Sequence, residues 1–348
     1  MPFKSSRPDF MKFLLKSASA VAFALSLTLV SCGEKPADSP KKQPESSGVT
    51  PQEPKPETPP TPPTPPKKPD STETSGAKAP KKWTDSTLHA ALKIYNSGYN
   101  GTGQFQIADG APMAISLGGE AVDDLTPLAG MKLRAIDLRG TKVTNLRPLS
   151  GMPLEEVYLE QTPIEDLTPL RGAPIKTLHL SGSAVRELTG LEGAPIHSIY
   201  AVNTRIADLT PLKGSSLDSI WLTGCPIKDL SPLADCKLTS VTLHMTPVTD
   251  LKPLATTGLQ RLHIGETQVE DLTPIAGLPL TRLVFTPPLI KKGIEDIRKV
   301  PTLKEIGTRF DDGGKDLMPP ARFWPMYDEF VKQRDSGAPE PKPENGTN

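Results

Sequence analysis

The sequence predicts an α/β solenoid of 21-residue coils, each adding one short strand to a parallel β-sheet on the concave face and one short helical turn to the convex face. Three observations carry this. Pro127, Pro148, Pro169, Pro211, Pro232, Pro253 and Pro274 fall on one 21-residue lattice, with Gly190 in its single vacancy. The same lattice aligns Ile115, Ile136, Val157, Leu178, Ile199, Ile220, Val241, Leu262 and Leu283, and two residues later Leu117, Leu138, Leu159, Leu180, Ala201, Leu222, Leu243, Ile264 and Phe285. A fixed period of this length means stacked units, none of which can bury its apolar side alone. Finally, the I-x-L spacing is that of a strand, whose side chains alternate, so both apolar residues point inward and the residues between and beside them point out.

Ahead of the solenoid, residues 17–30 are apolar and follow Lys4, Arg7, Lys12 and Lys16. That is the shape of a secretory signal, and it falls short of the roughly 20 residues needed to span a bilayer. Met11-Lys12-Phe13 also has the form of a signal start, an alternative to Met1. The segment ends Leu29-Val30-Ser31-Cys32, which resembles the lipobox of bacterial lipoproteins. The resemblance implies that residues 1–31 are removed and that Cys32 is acylated, as with palmitate. The protein is then tethered to a membrane of the bacterial cell envelope by its lipid anchor only. Two or three acyl chains anchor stably where one binds marginally. Gly33 after the cysteine, in place of Asp, resembles an outer-membrane address.

Residues 32–82 read as a disordered linker. Fourteen of the 40 prolines lie between Pro36 and Pro80, in a stretch without Leu, Ile, Phe, Met, Trp or Tyr, so no apolar burial can offset the entropy of ordering it. Polyproline II geometry would extend it to about 150 Å and a flexible coil to about 40 Å. The whole chain carries 40 Lys+Arg against 40 Asp+Glu, which excludes the basic character of a general nucleic-acid binder.

A solenoid exposes its core at both ends and needs caps. Residues 83–109 form the expected N-terminal cap: Thr84-Asp85-Ser86 followed by Leu88, Ala91, Leu92 and Tyr95 is an N-capped amphipathic helix closing at Gly98. Over 110–310 the consensus is L-x-x-I-x-L-x-x-T-x-V-x-D-L-T-P-L-x-G-x-P. It resembles the leucine-rich repeat, in the short bacterial form of internalin-type proteins. That family has a ladder of Asn where this chain has Thr141, Thr162, Ser183, Thr204, Cys225, Thr246 and Thr267. A hydroxyl supplies one donor against the amide's two, and a thiol almost none. After V-x-D-L, Ser or Thr as N-cap with Pro at the first helical position predicts a single turn, stopped by Gly130, Gly151, Gly172, Gly193 or Gly214. The acidic column Asp124, Asp166, Glu187, Asp208, Asp229, Asp250 and Asp271 either bonds local backbone amides or makes a Ca²⁺ ladder. Asn145 interrupts it, which favours the first. Residues 311–335 are the expected C-terminal cap: Phe323, Trp324, Met326, Tyr327 and Phe330 crowd together, and Pro325 suits the first turn of a helix to about Gln333. A docking site is the other reading of that cluster. Residues 336–348 read as a disordered tail.

No G-x-S-x-G, H-E-x-x-H or glycine-rich phosphate loop is present, so no catalysis, cofactor or metal is expected. Cys225 and Cys236 read as two buried thiols rather than a disulfide, because they should sit on different edges of their coil. The outward column Ser116, Asp137, Tyr158, His179, Tyr200, Trp221, Thr242, His263 and Val284 holds three of the chain's eight Trp and Tyr residues. Small polar residues flank it: Thr177, Ser181, Ser198, Ser219, Thr223 and Ser240. Rigid aromatics among Ser and Thr resemble a binding paratope, while stacking that merely stabilises the sheet is the competing reading. The expected ligand-binding residues are Tyr158, His179, Tyr200, Trp221, His263, Arg261 and Arg282. Asp137, Glu156 and Glu160 oppose the two arginines, grading the face from acidic to basic. The expectation is a monomer that binds a protein or glycan on its concave face, the alternative a structural or assembly component of an envelope complex.

Overall fold

The computed structural model describes residues 82–309 and 316–336. The expected signal peptide, Cys32, the proline-rich linker and the tail beyond Ser336 lie outside the described residues. Among the described residues, one helix, α1 (Asp85–Tyr95), precedes eleven strands: β1 (Gln104–Ala108), β2 (Ala111–Ser116), β3 (Ala135–Asp137), β4 (Glu156–Tyr158), β5 (Thr177–His179), β6 (Ser198–Tyr200), β7 (Ser219–Trp221), β8 (Ser240–Thr242), β9 (Arg261–Ile264), β10 (Arg282–Phe285) and β11 (Glu305–Gly307). They form one sheet in sequence order. The β1–β2 pair is an antiparallel hairpin, and every later pair is parallel. Ile115, Ile136, Val157, Leu178, Ile199, Ile220, Val241, Leu262 and Leu283 pair in unbroken register. The architecture is a leucine-rich-repeat solenoid.

The inward residues form aliphatic columns running the length of the molecule. Leu117, Leu133, Leu138, Leu154, Leu159 and Leu180 are fully shielded, as are Leu212, Leu222, Leu243 and Phe285 further along. On the convex side, seven coils carry a single 3₁₀ turn, at 126–128, 147–149, 168–170, 210–212, 231–233, 252–254 and 273–275. The N-cap of each is a leucine rather than the expected Ser or Thr, and no hydroxyl caps it. The carboxylate two residues before the turn does that work instead. Asp124, Asp166, Asp208, Asp229, Asp250 and Asp271 each accept the N–H of the residue two further on, at 2.7–2.9 Å. Asn145 does the same for Arg147 at 3.0 Å, which is why an amide fits the acidic column. The first helical N–H is one that no backbone carbonyl can reach, so a short side chain two residues back is its natural partner.

The Thr column also works differently from a ladder between neighbouring coils. Thr141, Thr162, Thr246 and Thr267 each donate to the carbonyl three residues earlier in their own coil, at 2.7–2.8 Å. Ser183, lacking the methyl group that fixes the threonine rotamer, is buried with no hydrogen-bond partner at its hydroxyl. Cys225, expected to contribute almost nothing, is the member that reaches the neighbouring coil, with its sulfur 2.7 Å from the Ala201 carbonyl and 3.2 Å from the Thr204 hydroxyl. Cys225 and Cys236 are both free and buried.

At the first end, Thr84 and Thr87 form a reciprocal capping box for α1, whose Leu88 and Leu92 cover the first coil. Asn96 ties the helix down: its amide donates to the Leu92 and Asp124 carbonyls and accepts from Asp123 and Asp124. At the other end are α2 (Ile294–Arg298) and α3 (Pro320–Asp335). Phe323 and Tyr327 of α3 pack against Phe285 with ring centres 5.8 and 6.4 Å apart. The helix starts at Pro320, earlier than expected, and Pro325 lies inside it, where it forgoes one backbone hydrogen bond.

The coil at Gly190 is the exception on the convex side, with no 3₁₀ turn. Gly190 has φ +105°, out of reach of the proline found elsewhere on the lattice. A Cβ there would lie 2.8 Å from the Leu167 carbonyl oxygen and 2.8 Å from the Thr168 Cα, whereas one at Gly193 (φ +74°) meets nothing within 4 Å. Gly190→Ala should therefore cost about 2–4 kcal/mol, from backbone strain and overlap together, and Gly193→Ala about 1 kcal/mol from strain alone. Urea denaturation of the two variants should show this ratio.

Candidate functional site on the concave face

In-register pairing arranges the outward residues into two adjacent columns. One runs Glu156, Thr177, Ser198, Ser219, Ser240, Arg261, Arg282, Glu305, and the other Asp137, Tyr158, His179, Tyr200, Trp221, Thr242, His263, Val284. In the second column the rings stack: Tyr158 to His179 at 4.6 Å and 26°, His179 to Tyr200 at 4.4 Å and 17°. Arg139 adds its guanidinium over Tyr158 at 5.6 Å. Tyr200 and Trp221 were expected about 5 Å apart from strand spacing; they lie 6.3 Å apart, tilted by 42°. The indole is turned away because its Nε1 donates to Thr223 Oγ1 at 2.8 Å.

The stack stops at Trp221. Thr242 follows, and His263 turns to His244, 5.2 Å away, rather than continuing the row. Beyond that break the face deepens into a cleft of about 640 Å³, lined by Tyr200, Trp221, Arg261, His263 and Arg282 among the expected residues, with the serines at 219 and 240. Its far wall is Glu305, Arg309, Asp316 and Leu317, none of which belonged to the expected site. Tyr158 and His179 lie on the same face but outside the cleft. Asp316 holds the wall in place, accepting the N–H groups of Thr308 and Arg309 at 2.9 and 2.7 Å.

The acidic end of the expected gradient is mostly spent internally. Asp137 is fully buried rather than displayed. It accepts two bonds from the Arg139 guanidinium, at 2.9 and 2.7 Å, and one from Ser116 Oγ at 2.9 Å. Arg139, two residues along the same strand direction, folds back over it, which the strand pattern alone does not reveal. Tyr158 donates to Glu156 at 3.2 Å, and burial pushes the Glu156 carboxyl above its ordinary value. Glu160 faces His179 Nδ1 at 3.1 Å. At the other end Arg282 is paired with Glu305 at 2.7 Å, while the Arg261 guanidinium donates to the Ser240 hydroxyl at 3.3 Å. No group of three or more His, Cys, Asp or Glu able to hold a metal occurs among the described residues.

Burial, and then the neighbouring His244, push His263 down from 6.5 to about 4. The folded protein thus resists protonating a group that the unfolded chain protonates readily. Stability linked to His263 is complete above pH 6.5 and is lost as the pH falls from 6.5 towards 4. Urea midpoints measured across that interval should decline, and His263→Asn should flatten the decline.

No protein-family model matches the sequence, and no curated protein matches it. Among solved structures, the chain is similar to an internalin from Listeria monocytogenes, 20% identical with a TM-score of 0.48, over 66% of this chain and 76% of the other. It is also similar to internalin C2 from the same organism, 25% identical with a TM-score of 0.49, over 57% of this chain and 92% of that one. A leucine-rich-repeat protein from Leptospira interrogans is 21% identical with a TM-score of 0.40, over 51% of this chain and 55% of that one.

Proposed function

We propose that this protein is a lipid-anchored component of a bacterial envelope that binds a protein or glycan through its concave face and catalyses nothing. The observation that carries the reading is the row of rings from Tyr158 to Trp221 running into the walled cleft. Flat aromatics with small polar neighbours are where binding energy concentrates, because they offer large contact areas with few rotatable bonds. The polar edges of Tyr158 and Trp221 are already bonded within the protein, which holds the rings in fixed orientations along the row. Lipid anchoring rests on the Leu29–Cys32 sequence. No helix among the described residues is long and apolar enough to cross a membrane.

A structural or assembly role is favoured by a different observation: Ile94 and Tyr95 stand exposed on α1, at 80% and 50%. A pull-down with the fragment from Lys82 onward separates the two readings. A foreign ligand lost with concave-face substitutions supports the first, and a same-envelope partner lost with Ile94→Ser supports the second.

Replacing Tyr200 and Trp221 together by Ala should weaken ligand binding by about 2–4 kcal/mol. Lost ring contacts should lower fold stability by only about 1 kcal/mol, since both residues point away from the core. Calorimetric binding and urea unfolding on the one double variant measure both; unchanged affinity with a large loss of stability would make the aromatic row a structural device. Cys32→Ser should leave the protein unprocessed or release it from membranes, as read by fractionation. Normal processing together with unaltered membrane association would refute the anchor.

A further inference from the structure

Of the four asparagines among the described residues, Asn100 alone is followed by glycine. Asn96 has both atoms of its amide bonded and precedes Ser97, Asn145 holds the Arg147 N–H and precedes Leu146, and Asn203 precedes the β-branched Thr204. Asn100 and Gly101 stand exposed in the turn between α1 and β1. Neither the Asn100 side-chain amide nor the Gly101 N–H makes a hydrogen bond among the described residues. Gly101 has φ +85°, with nothing within 4 Å of the place a Cβ would take. The residues on either side of it are, by contrast, held. The Glu120 carboxylate, only 3% exposed, accepts the Asn100 N–H through Oε2 and the Thr102 N–H through Oε1, both at 2.9 Å, and the Thr102 hydroxyl as well. One buried carboxylate thus clamps the chain before and after Gly101, tying the cap to the first coil.

We propose that Asn100 is a site of spontaneous deamidation to isoaspartate and aspartate, with water as the co-reactant, and that the change loosens the Glu120 clamp. Hydroxide takes the Gly101 amide proton, and the nitrogen, unhindered by any Cβ on its own residue, attacks Asn100 Cγ. The new N–Cγ bond forms as the Cγ–Nδ2 bond breaks, and ammonia leaves with a proton from water, which returns the hydroxide. A five-membered succinimide remains, and water opens it. Breaking the bond from the ring nitrogen to the main-chain carbonyl carbon gives isoaspartate, and breaking the N–Cγ bond gives aspartate; nothing is oxidised or reduced. In isoaspartate the backbone runs through Cβ and Cγ and is one atom longer. The Asn100 and Thr102 N–H groups then no longer meet Glu120 at their former spacing. Either product also sets a new carboxylate near a buried one, and like charges repel. A buried carboxylate that loses a donor is costly, and the cost falls on the cap.

The test ages the full-length protein in mildly alkaline buffer until Asn345-Gly346, the chain's other Asn-Gly pair, has converted. Digestion, mass spectrometry and labelling by an isoaspartyl methyltransferase then read each asparagine. The peptide carrying Asn100 should gain one dalton and take the methyl label, while those carrying Asn96, Asn145 and Asn203 should do neither. Asn100→Gln, which keeps the backbone donors, should lose the label, and Gly101→Ala should lose most of it. Hydrogen exchange on the aged protein should show lost protection at the Thr102 amide and along α1, a loss that Asn100→Gln prevents. Asn100 intact after Asn345 has converted, or a label that Gly101→Ala leaves undiminished, would overturn the site. Full conversion with protection unchanged would overturn the loosening of the clamp.

Discussion

The structure depends on the backbone returning to the same place every 21 residues. Leu138 donates to the Tyr158 carbonyl, Leu159 to that of His179, Leu180 to that of Tyr200 and Ala201 to that of Trp221, at 2.7–2.9 Å. Each coil lends its neighbour the hydrogen-bonding partners that the neighbour cannot find within itself. The same return sets leucine upon leucine in the core. No coil is stable alone, and the stability of the array is that of its nearest-neighbour contacts, which is why both ends carry dedicated segments. At the first end, the Asn96 amide meets its donors and acceptors in full, and the buried Glu120 carboxylate takes the N–H groups of Asn100 and Thr102 and the Thr102 hydroxyl.

On the concave face this regularity turns sequence into surface with little adjustment. Residues 21 apart become neighbours, so Tyr158, His179 and Tyr200 stack because the sheet brings their Cα atoms into register. Stacking and exposure therefore come from one cause. The row has a supported end, where Arg139 lies over both Tyr158 and the buried Asp137, and runs from there to Trp221. The cleft begins where the row ends and is closed by chain that no longer follows the repeat. β11 pairs with β10 through Leu283 and Ile306, 306 − 283 = 23 residues apart instead of 21. The two added residues, with α2, give the end coil a different path, and Glu305, Arg309, Asp316 and Leu317 line the cleft beside the aromatics.

What could be read in the sequence was what the lattice repeats. The strands, the inward columns and the aromatic row all follow from residues 21 apart, because periodic backbone hydrogen bonding leaves little freedom. Where several partners compete within a few residues, the pattern was silent. Thr126 and its counterparts looked like caps, yet each stands as the first residue of its turn, and the carboxylate two residues earlier accepts its N–H. Asp137 looked displayed, but the hairpin of β1 and β2 and the return of Arg139 bury it. The cleft's end wall was invisible for a simpler reason: Arg309 and Asp316 obey no period. One further column escaped notice. Gly119, Gly140, Gln161, Gly182, Asn203, Gly224, Met245 and Glu266 all adopt φ between +55° and +77°, a left-handed position repeated in these eight coils that Gly occupies in only four of them.

Because the columns are in register, the concave face is also graduated. Inserting or deleting one whole coil between Trp221 and Arg261 would shift the indole relative to the guanidinium by one strand spacing, about 4.8 Å, while leaving the core, the 3₁₀ turns and both caps as they are. The distance between an apolar foothold and a charged one can thus change in fixed steps through duplication or loss of 21 residues. Binding specificity in such a chain is inherited as a length, set by how many coils separate two side chains, and length can drift through recombination without passing through an unfolded intermediate sequence.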